Sequence, residues 1–274
     1  MDATTQPGLR PLTMTRSILR HWLVIFLVVY GMFNALPFVA PMFMKLGWAE
    51  AGNAIYTVYS FFCHQMAQRS FFLFGKHVMY RPDQLPITLT GSTGTDTLLL
   101  RDFRGSDLLG WKVAWSDRMI SLYGGVWLAA LVYWGVARLR TIKPLSIWVF
   151  GLMLLPIVLD GSTHMISDTT VGLLTGFRYD NAWLAALTGH VLPKSFYGGD
   201  ALGSFNSSMR LITGLLAAVG TVWFTFPLID QLARGTVHDI DVKLARIADK
   251  QRRRSGQLED AHEHFHTSHP TRPN

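Results

Sequence analysis

Apolar residues gather into four blocks near 22–44, 119–137, 145–166 and 211–229. A helix rising ~1.5 Å per residue needs ~20 residues to cross ~30 Å of hydrocarbon. Each block is about that long, so the pattern predicts an all-α membrane protein built on a four-helix transmembrane bundle. The first block follows Arg10, Arg16 and Arg20 and exceeds the ~7–15 apolar residues of a signal-peptide core, so it reads as a retained span. Within it, Pro37 and Pro41 predict a kink or an early end.

The basic residues set the expected orientation. Arg10, Arg16 and Arg20 precede the first block, Arg138, Arg140 and Lys143 lie between the second and third, and a run up to Arg252–Arg254 follows the fourth. Four spans put all three groups on one side, which the positive-inside rule makes cytoplasmic. The expected arrangement is a multi-pass protein of the cell membrane with both termini cytoplasmic. It has an N-terminal arm over 1–21, a membrane domain over 22–229, and a basic helix with a disordered His-containing tail over 230–274. The tail's histidines lack the fixed spacing of a metal site and read as solvated.

A fifth apolar stretch, about 54–74, would reverse every later charge group if it crossed the membrane. It is therefore expected to be an additional interfacial or re-entrant helix. The segments between spans become two extracytoplasmic caps. The first carries QLPITLTGSTGTDTLLLRDF, whose two runs flanking a Gly/Ser/Thr turn predict a small β-hairpin. The second mixes a short amphipathic helix with glycine-rich turns.

Composition agrees: 49% of the 274 residues are hydrophobic and only 16% are charged, too apolar for an ordinary soluble surface. The net charge of +7 is absorbed by orientation and by contact with anionic lipid. No basic groove with interleaved aromatics occurs, so no nucleic-acid partner is expected. The expected partners are the lipid bilayer and a membrane protein or a second copy of the chain.

The chemistry-bearing residues are few. Asp160, His164 and Asp168 recur every four positions and would share one helix stripe. Ionisable groups near membrane depth are costly and are functional candidates by default, although Asp160 would also suit a helix end leaving the lipid. Asp117 and Arg118 precede the second block and Arg210 the fourth, so a bundle could bring them to Asp160 and His164. These four, Asp160, His164, Asp117 and Arg118, are the acid–base candidates; the arginines could instead snorkel to headgroups. Cys63 is the single cysteine, so no disulfide forms within the chain. It reads as a packed thiol or, beside His64, as a soft metal ligand.

Four segments carry a resemblance. CHQMAQRSFFLFG, DRMISLYGGVWLA, PIVLDGSTHMISD and NSSMRLITGLLAAVG resemble, in order, the signatures of a prokaryotic membrane-protein family known as domain of unknown function 2085. The likeness covers roughly residues 54–220 and implies a bacterial membrane protein. It singles out Cys63, His64, Gln65, Arg69 and Ser70, then Arg118, Tyr123 and Gly125, then Asp160, Gly161 and Thr163, and last Asn206, Arg210, Thr213 and Gly214. From it comes the expectation of a buried polar network of His64, Gln65, Arg69, Arg210 and Asn206. The family pattern has cysteines where this chain has Ser116 and Met119, and glutamine at His164. A three-cysteine zinc or dithiol site is thus not intact. A transition metal would have to use Cys63, His64, Met119, Asp160 and His164.

Three functions stand side by side. The first is an integral membrane protein, a structural or accessory subunit, with a polar extracytoplasmic cluster and no activity that its motifs name. The second is a metal-binding or lipid-directed membrane enzyme or redox protein working through an Asp/His site. The third is a small transporter. Neither a Walker loop nor a GxSxG motif occurs.

Overall fold

A computed structural model describes residues 9–267, with side chains as far as residue 254. Among the described residues four helices are long and apolar enough to cross a membrane: Trp22–Lys45, Asp117–Ala137, Ile147–Thr170 and Phe205–Arg254. They are called the first to fourth spans below. The chain divides into two compact units, one of residues 26–227 and one of residues up to 25 with those from 228 on.

In the larger unit the fourth span is the most enclosed, with 44% of its most apolar window buried against 11–22% for the others. Small residues explain this, because they let helix backbones approach in a solvent that offers no hydrophobic drive between helices. A Cβ on Gly125 would come within 2.9 Å of Ala218 Cβ, and one on Gly214 within 2.1 Å of Ser121 Oγ. Aromatic contacts complete the packing, with Phe150 stacked on Phe224 and Tyr133 edge-on to Trp223.

Pro37 and Pro41 neither end nor shorten the first span, which runs on to Lys45. A proline at 37 leaves the carbonyl of Phe33 without its helical donor. Tyr59 Oη donates to that carbonyl at 2.7 Å. Pro227 lies inside the fourth helix in the same way, and the freed carbonyl of Trp223 accepts from the backbone N–H of Leu145 at 3.2 Å. The third span begins where Ser146 caps it, its side chain accepting from Val149 N.

The stretch 54–74, expected as one additional helix, is not a continuous helix. Only its first residues are helical: the helix Ala49–Tyr59 ends within it, and a single 3₁₀ turn, Ala67–Arg69, leads into strand β1, Ser70–Leu73. Two local features turn the chain. Gln65 takes a left-handed backbone, φ 54°. Its N–H donates to Cys63 Sγ, and its side-chain amide to Tyr56 O at 2.9 Å. The strand then pairs antiparallel with β3, Gly110–Ser116, which also pairs with β2, Gly105–Ser106, in the order β1-β3-β2.

The hairpin therefore lies later than the sequence pattern suggests, and Thr93–Asp102 is a helix. The Asp96 carboxylate draws this turn together by accepting from Thr90 N, Thr90 Oγ1 and Gly91 N. Leu100, on the same helix, is fully buried beside Phe72 and Tyr80. Lys112 on β3 is completely buried, its Nζ donating to Gln65 O at 2.6 Å and Arg101 O at 2.5 Å. With no carboxylate bound to it, burial first and the Arg104 charge next push its ammonium down to about 7. The segment after the third span is turn-rich, with short helices at Phe177–Asp180, Ala182–Leu187 and Lys194–Tyr197.

In the smaller unit Arg10–Arg20 is helical, Arg20 pairs with Asp241 at 2.9 Å and Trp22 Nε1 donates to Asp230. The fourth helix continues without a break to Thr267, past Gly256, where the composition predicts a disordered tail. His269 and the rest of that tail lie outside the described residues.

Candidate functional site

Three spans and two connecting segments deliver eight charged side chains to one region of the larger unit. The second span begins with Asp117 and Arg118, the third carries Asp160 and Asp168 in its C-terminal half, and the fourth carries Arg210 in its second turn. Arg69 comes from the turn before β1, Arg178 and Asp200 from the segment before the fourth span. Arg210 donates through Nε to both oxygens of Asp117, at 2.9 and 3.0 Å, and through Nη1 to Asp200 at 2.8 Å. Arg69 takes the other oxygen of Asp200 at 2.8 Å and forks onto Asp168 at 2.9 and 3.2 Å. Separately, Asp160 accepts from Arg118 at 2.6 Å and from Arg178 at 2.5 Å.

Four guanidiniums thus balance four carboxylates. Burying an ion is expensive, and forked, charge-assisted bonds are what recover the cost. Burial alone would raise the carboxyl of Asp200, but Arg69, then Arg210, hold it below the usual carboxylate range. Burial alone would lower Arg69, and Asp200 and Asp168 together raise it. Neutral groups close the remaining valences. Asn206, fully buried, donates to Arg178 O and Gly199 O, and Asn181 to Tyr197 O. Ser207 Oγ donates to Asp117 and Ser121 Oγ to Arg210 O.

Two cavities border this network. One, about 270 Å³, is lined by Cys63, His64, Ser116, Met119 and the arginines 69, 118 and 210. The other, about 350 Å³, is lined by His64, Arg69, Arg118, His164, Asp168 and hydroxyl-bearing Thr93 and Thr97. His64, Arg69 and Arg118 face both. His164 is buried, its Nε2 lacks a hydrogen-bond partner, and so does the buried Nε of Arg118.

The residues of the metal expectation are divided between these places. Cys63 Sγ accepts the N–H of Gln65 at 3.3 Å and of Ser116 at 3.4 Å, and its thiol lies 3.4 Å from Ser116 Oγ. Cys63, His64 and Met119 share the first cavity, His64 and His164 the second. Asp160 already holds two guanidiniums, and His164 Nε2 stands 3.9 Å from it. Among the described residues no three His, Cys, Asp or Glu side chains are gathered as a metal would need. Three guanidiniums on the first cavity's wall oppose a cation further, so the residues present do not fit a metal.

Of the expected polar network, Arg69 and Arg210 are members of the ion chain and Asn206 supports it. Gln65 also lines the first cavity, but its side chain is tied to Tyr56 O and its carbonyl to Lys112 rather than to the ion pairs. His64 is exposed on the cavity wall. Arg178 and Asp200 are the members that sequence reasoning missed. Both sit in turn-rich chain where no periodicity assigns an inward face, and Asp200 is 131 residues from its partner Arg69. The one signal for them is charge in a segment otherwise poor in it.

An uncharacterized protein of Methanocaldococcus jannaschii is 27% identical to this chain over 168 residues, covering 58% of the chain and 85% of the relative. No protein-family profile matches the chain, and no solved structure matches it. The findings describe a membrane protein with an uncharacterized homologue, and they are consistent with an uncharacterized family.

Proposed function

We propose that the protein sits in the cell membrane with both termini cytoplasmic, and that its polar cleft, on the extracytoplasmic side, binds an anionic phosphate-class group such as a lipid headgroup. The observation that carries this is the pair of buried nitrogens without partners, His164 Nε2 and Arg118 Nε, on residues lining the same cavity as Arg69 and His64. A planar guanidinium with a spare N–H is suited to phosphate and carboxylate oxygens. Binding is favoured over acid–base turnover because Asp160 and Asp117 are committed: one accepts from two arginines, the other from Arg210, Ser207 and the N–H of Arg118. A purely structural subunit would have no need to leave two buried nitrogens unpaired.

The test uses purified full-length protein in neutral-lipid nanodiscs, titrated with inorganic phosphate and with glycerol 3-phosphate by calorimetry. His64→Gln and His164→Gln each weaken binding by about tenfold or more, the loss of one charge-assisted contact. Undetectable binding in the wild type, or binding in both variants as tight as in the wild type, refutes the reading. Reporter fusions at the C-terminus, fluorescent only inside or enzymatically active only outside, check the orientation independently.

A further inference from the structure

A second recess lies between the first, second and fourth spans, with about 550 Å³ of space and walls that include Gly31, Gly124, Leu211 and Leu215. That volume is within the ~300–1,000 Å³ range of small-molecule sites. No charged side chain lines it. Four lining side chains carry a nitrogen or oxygen: Asn34, Trp115, Ser121 and Trp127. Two of them are satisfied by the protein, Ser121 Oγ by the carbonyls of Arg118 and Arg210, and Trp127 Nε1 by Leu27 O at 2.9 Å. The other two are not. Trp115 is 1% exposed and its Nε1 has no acceptor; Asn34 donates to Tyr30 O at 2.7 Å but its buried Oδ1 has no donor.

Hydrocarbon can satisfy neither atom, so each bears the full desolvation penalty of an unmade hydrogen bond. The groove wall also carries a π-helical turn, Ile120–Gly124, a distortion that recurs at functional sites. At Gly124 a Cβ would meet only Asn34 Oδ1, at 3.9 Å. No close packing of the fold therefore demands glycine in this helix, where it is a poorer helix former than alanine. The missing side chain leaves the groove open beside the unsatisfied oxygen.

We infer that the groove binds a long-chain membrane lipid carrying a free hydroxyl, of the class of diacylglycerols and long-chain alcohols. The apolar walls take the chain. A hydroxyl supplies both missing roles, accepting from Trp115 Nε1 and donating to Asn34 Oδ1, whereas an ester carbonyl would serve only the tryptophan. The absence of charge on the walls selects against a zwitterionic or anionic headgroup. This site is separate from the charged cleft and does not rest on anion binding there.

The experiment compares 1,2-dioctanoylglycerol with its 3-acetyl ester, which caps the hydroxyl, by native mass spectrometry of the full-length protein released from phosphatidylcholine nanodiscs. The wild type holds the free alcohol at least about tenfold more tightly, because a site built for a hydroxyl rejects its capped analogue. Trp115→Phe, which keeps the ring and removes only the N–H, and Asn34→Leu each bring the two lipids to within about threefold. Gly124→Leu fills the groove and removes binding of both. Equal affinity of the wild type for the two lipids overturns the proposal and identifies ordinary boundary lipid. Unchanged lipid binding in Gly124→Leu overturns it as well, as does loss of a dimer in that variant without loss of lipid, which assigns the groove to a second copy. Should Gly124→Leu fail to fold, the discrimination lost or kept in Trp115→Phe decides the matter.

Discussion

Replacing Arg210 by methionine removes the one side chain that joins Asp117 to Asp200. Asp117 is fully buried and Arg210 is 2% exposed, so solvent screens neither charge. The two carboxylates do not suffer equally. Asp200 keeps Arg69 at 2.8 Å, while Asp117 loses its only guanidinium and retains the Ser207 hydroxyl and the N–H of Arg118. The cost is therefore set by one stranded carboxylate, about 3–5 kcal/mol, rather than by two. Arg210→Lys keeps the charge but cannot serve both partners in forked geometry, and falls between wild type and Arg210→Met. Adding Asp117→Asn to Arg210→Met removes the stranded charge and restores about 1–3 kcal/mol of the loss. Cys63, the single cysteine and 7% exposed, provides the assay: its rate of maleimide labelling through a denaturant titration in mixed micelles reports unfolding. Two results would refute the reasoning. One is a loss below about 1 kcal/mol in Arg210→Met, and the other is a double variant whose loss equals the sum of the two singles.

Other perturbations separate the remaining parts. Between pH about 7, where folded Lys112 titrates, and its ordinary value of 10.5, the unfolded chain holds a proton that the folded chain lacks. Stability therefore rises with pH across that window, and Lys112→Met flattens the rise in denaturation midpoints measured from pH 6 to 10. Gly214→Ala forces a Cβ to within 2.1 Å of Ser121 Oγ and costs about 1–3 kcal/mol; Ser121→Ala recovers only part, since Ser121 Cβ and Arg118 O lie at 3.1 and 3.2 Å. Thermal midpoints of the single and double variants measure both effects. Cys63→Ala leaves the N–H groups of Gln65 and Ser116 without an acceptor and costs about 1–3 kcal/mol, whereas Cys63→Ser retains an acceptor and loses less in the same melts.

The spans were legible because membrane solvent imposes a simple rule, about 20 apolar residues in a row, and because Asp160, His164 and Asp168 keep helical spacing over two turns. What failed was legible only through partners distant in sequence. The aromatic run around Cys63 has the composition of a helix or a strand; pairing of Ser70 with Ser116 and of Phe72 with Lys112 decides for the strand. The two prolines of the first span looked like an ending because a proline frees a carbonyl. That carbonyl is answered by Tyr59, 26 residues on, a donor that no local pattern indicates. The stripe on the third span announced buried charge, but its complement, Arg178 and Asp200, lies in irregular chain.

The positions that the resemblance sets as cysteines give this a further turn. Residues 63, 116 and 119 do meet at one cavity, although only the first is a thiol here. One bond from Ser116 to Cys63 Sγ comes from its backbone N–H, which any residue but proline supplies at 116, so this bond can persist when the side-chain chemistry changes. The ion pairs have the same independence: none of the eight charged residues is drawn from positions 63, 116 or 119, and the nearest to them in sequence are the neighbouring Asp117 and Arg118. Loss of a thiol set would therefore leave the charged cleft standing. The proposed binding thus rests on the cleft rather than on the cysteine.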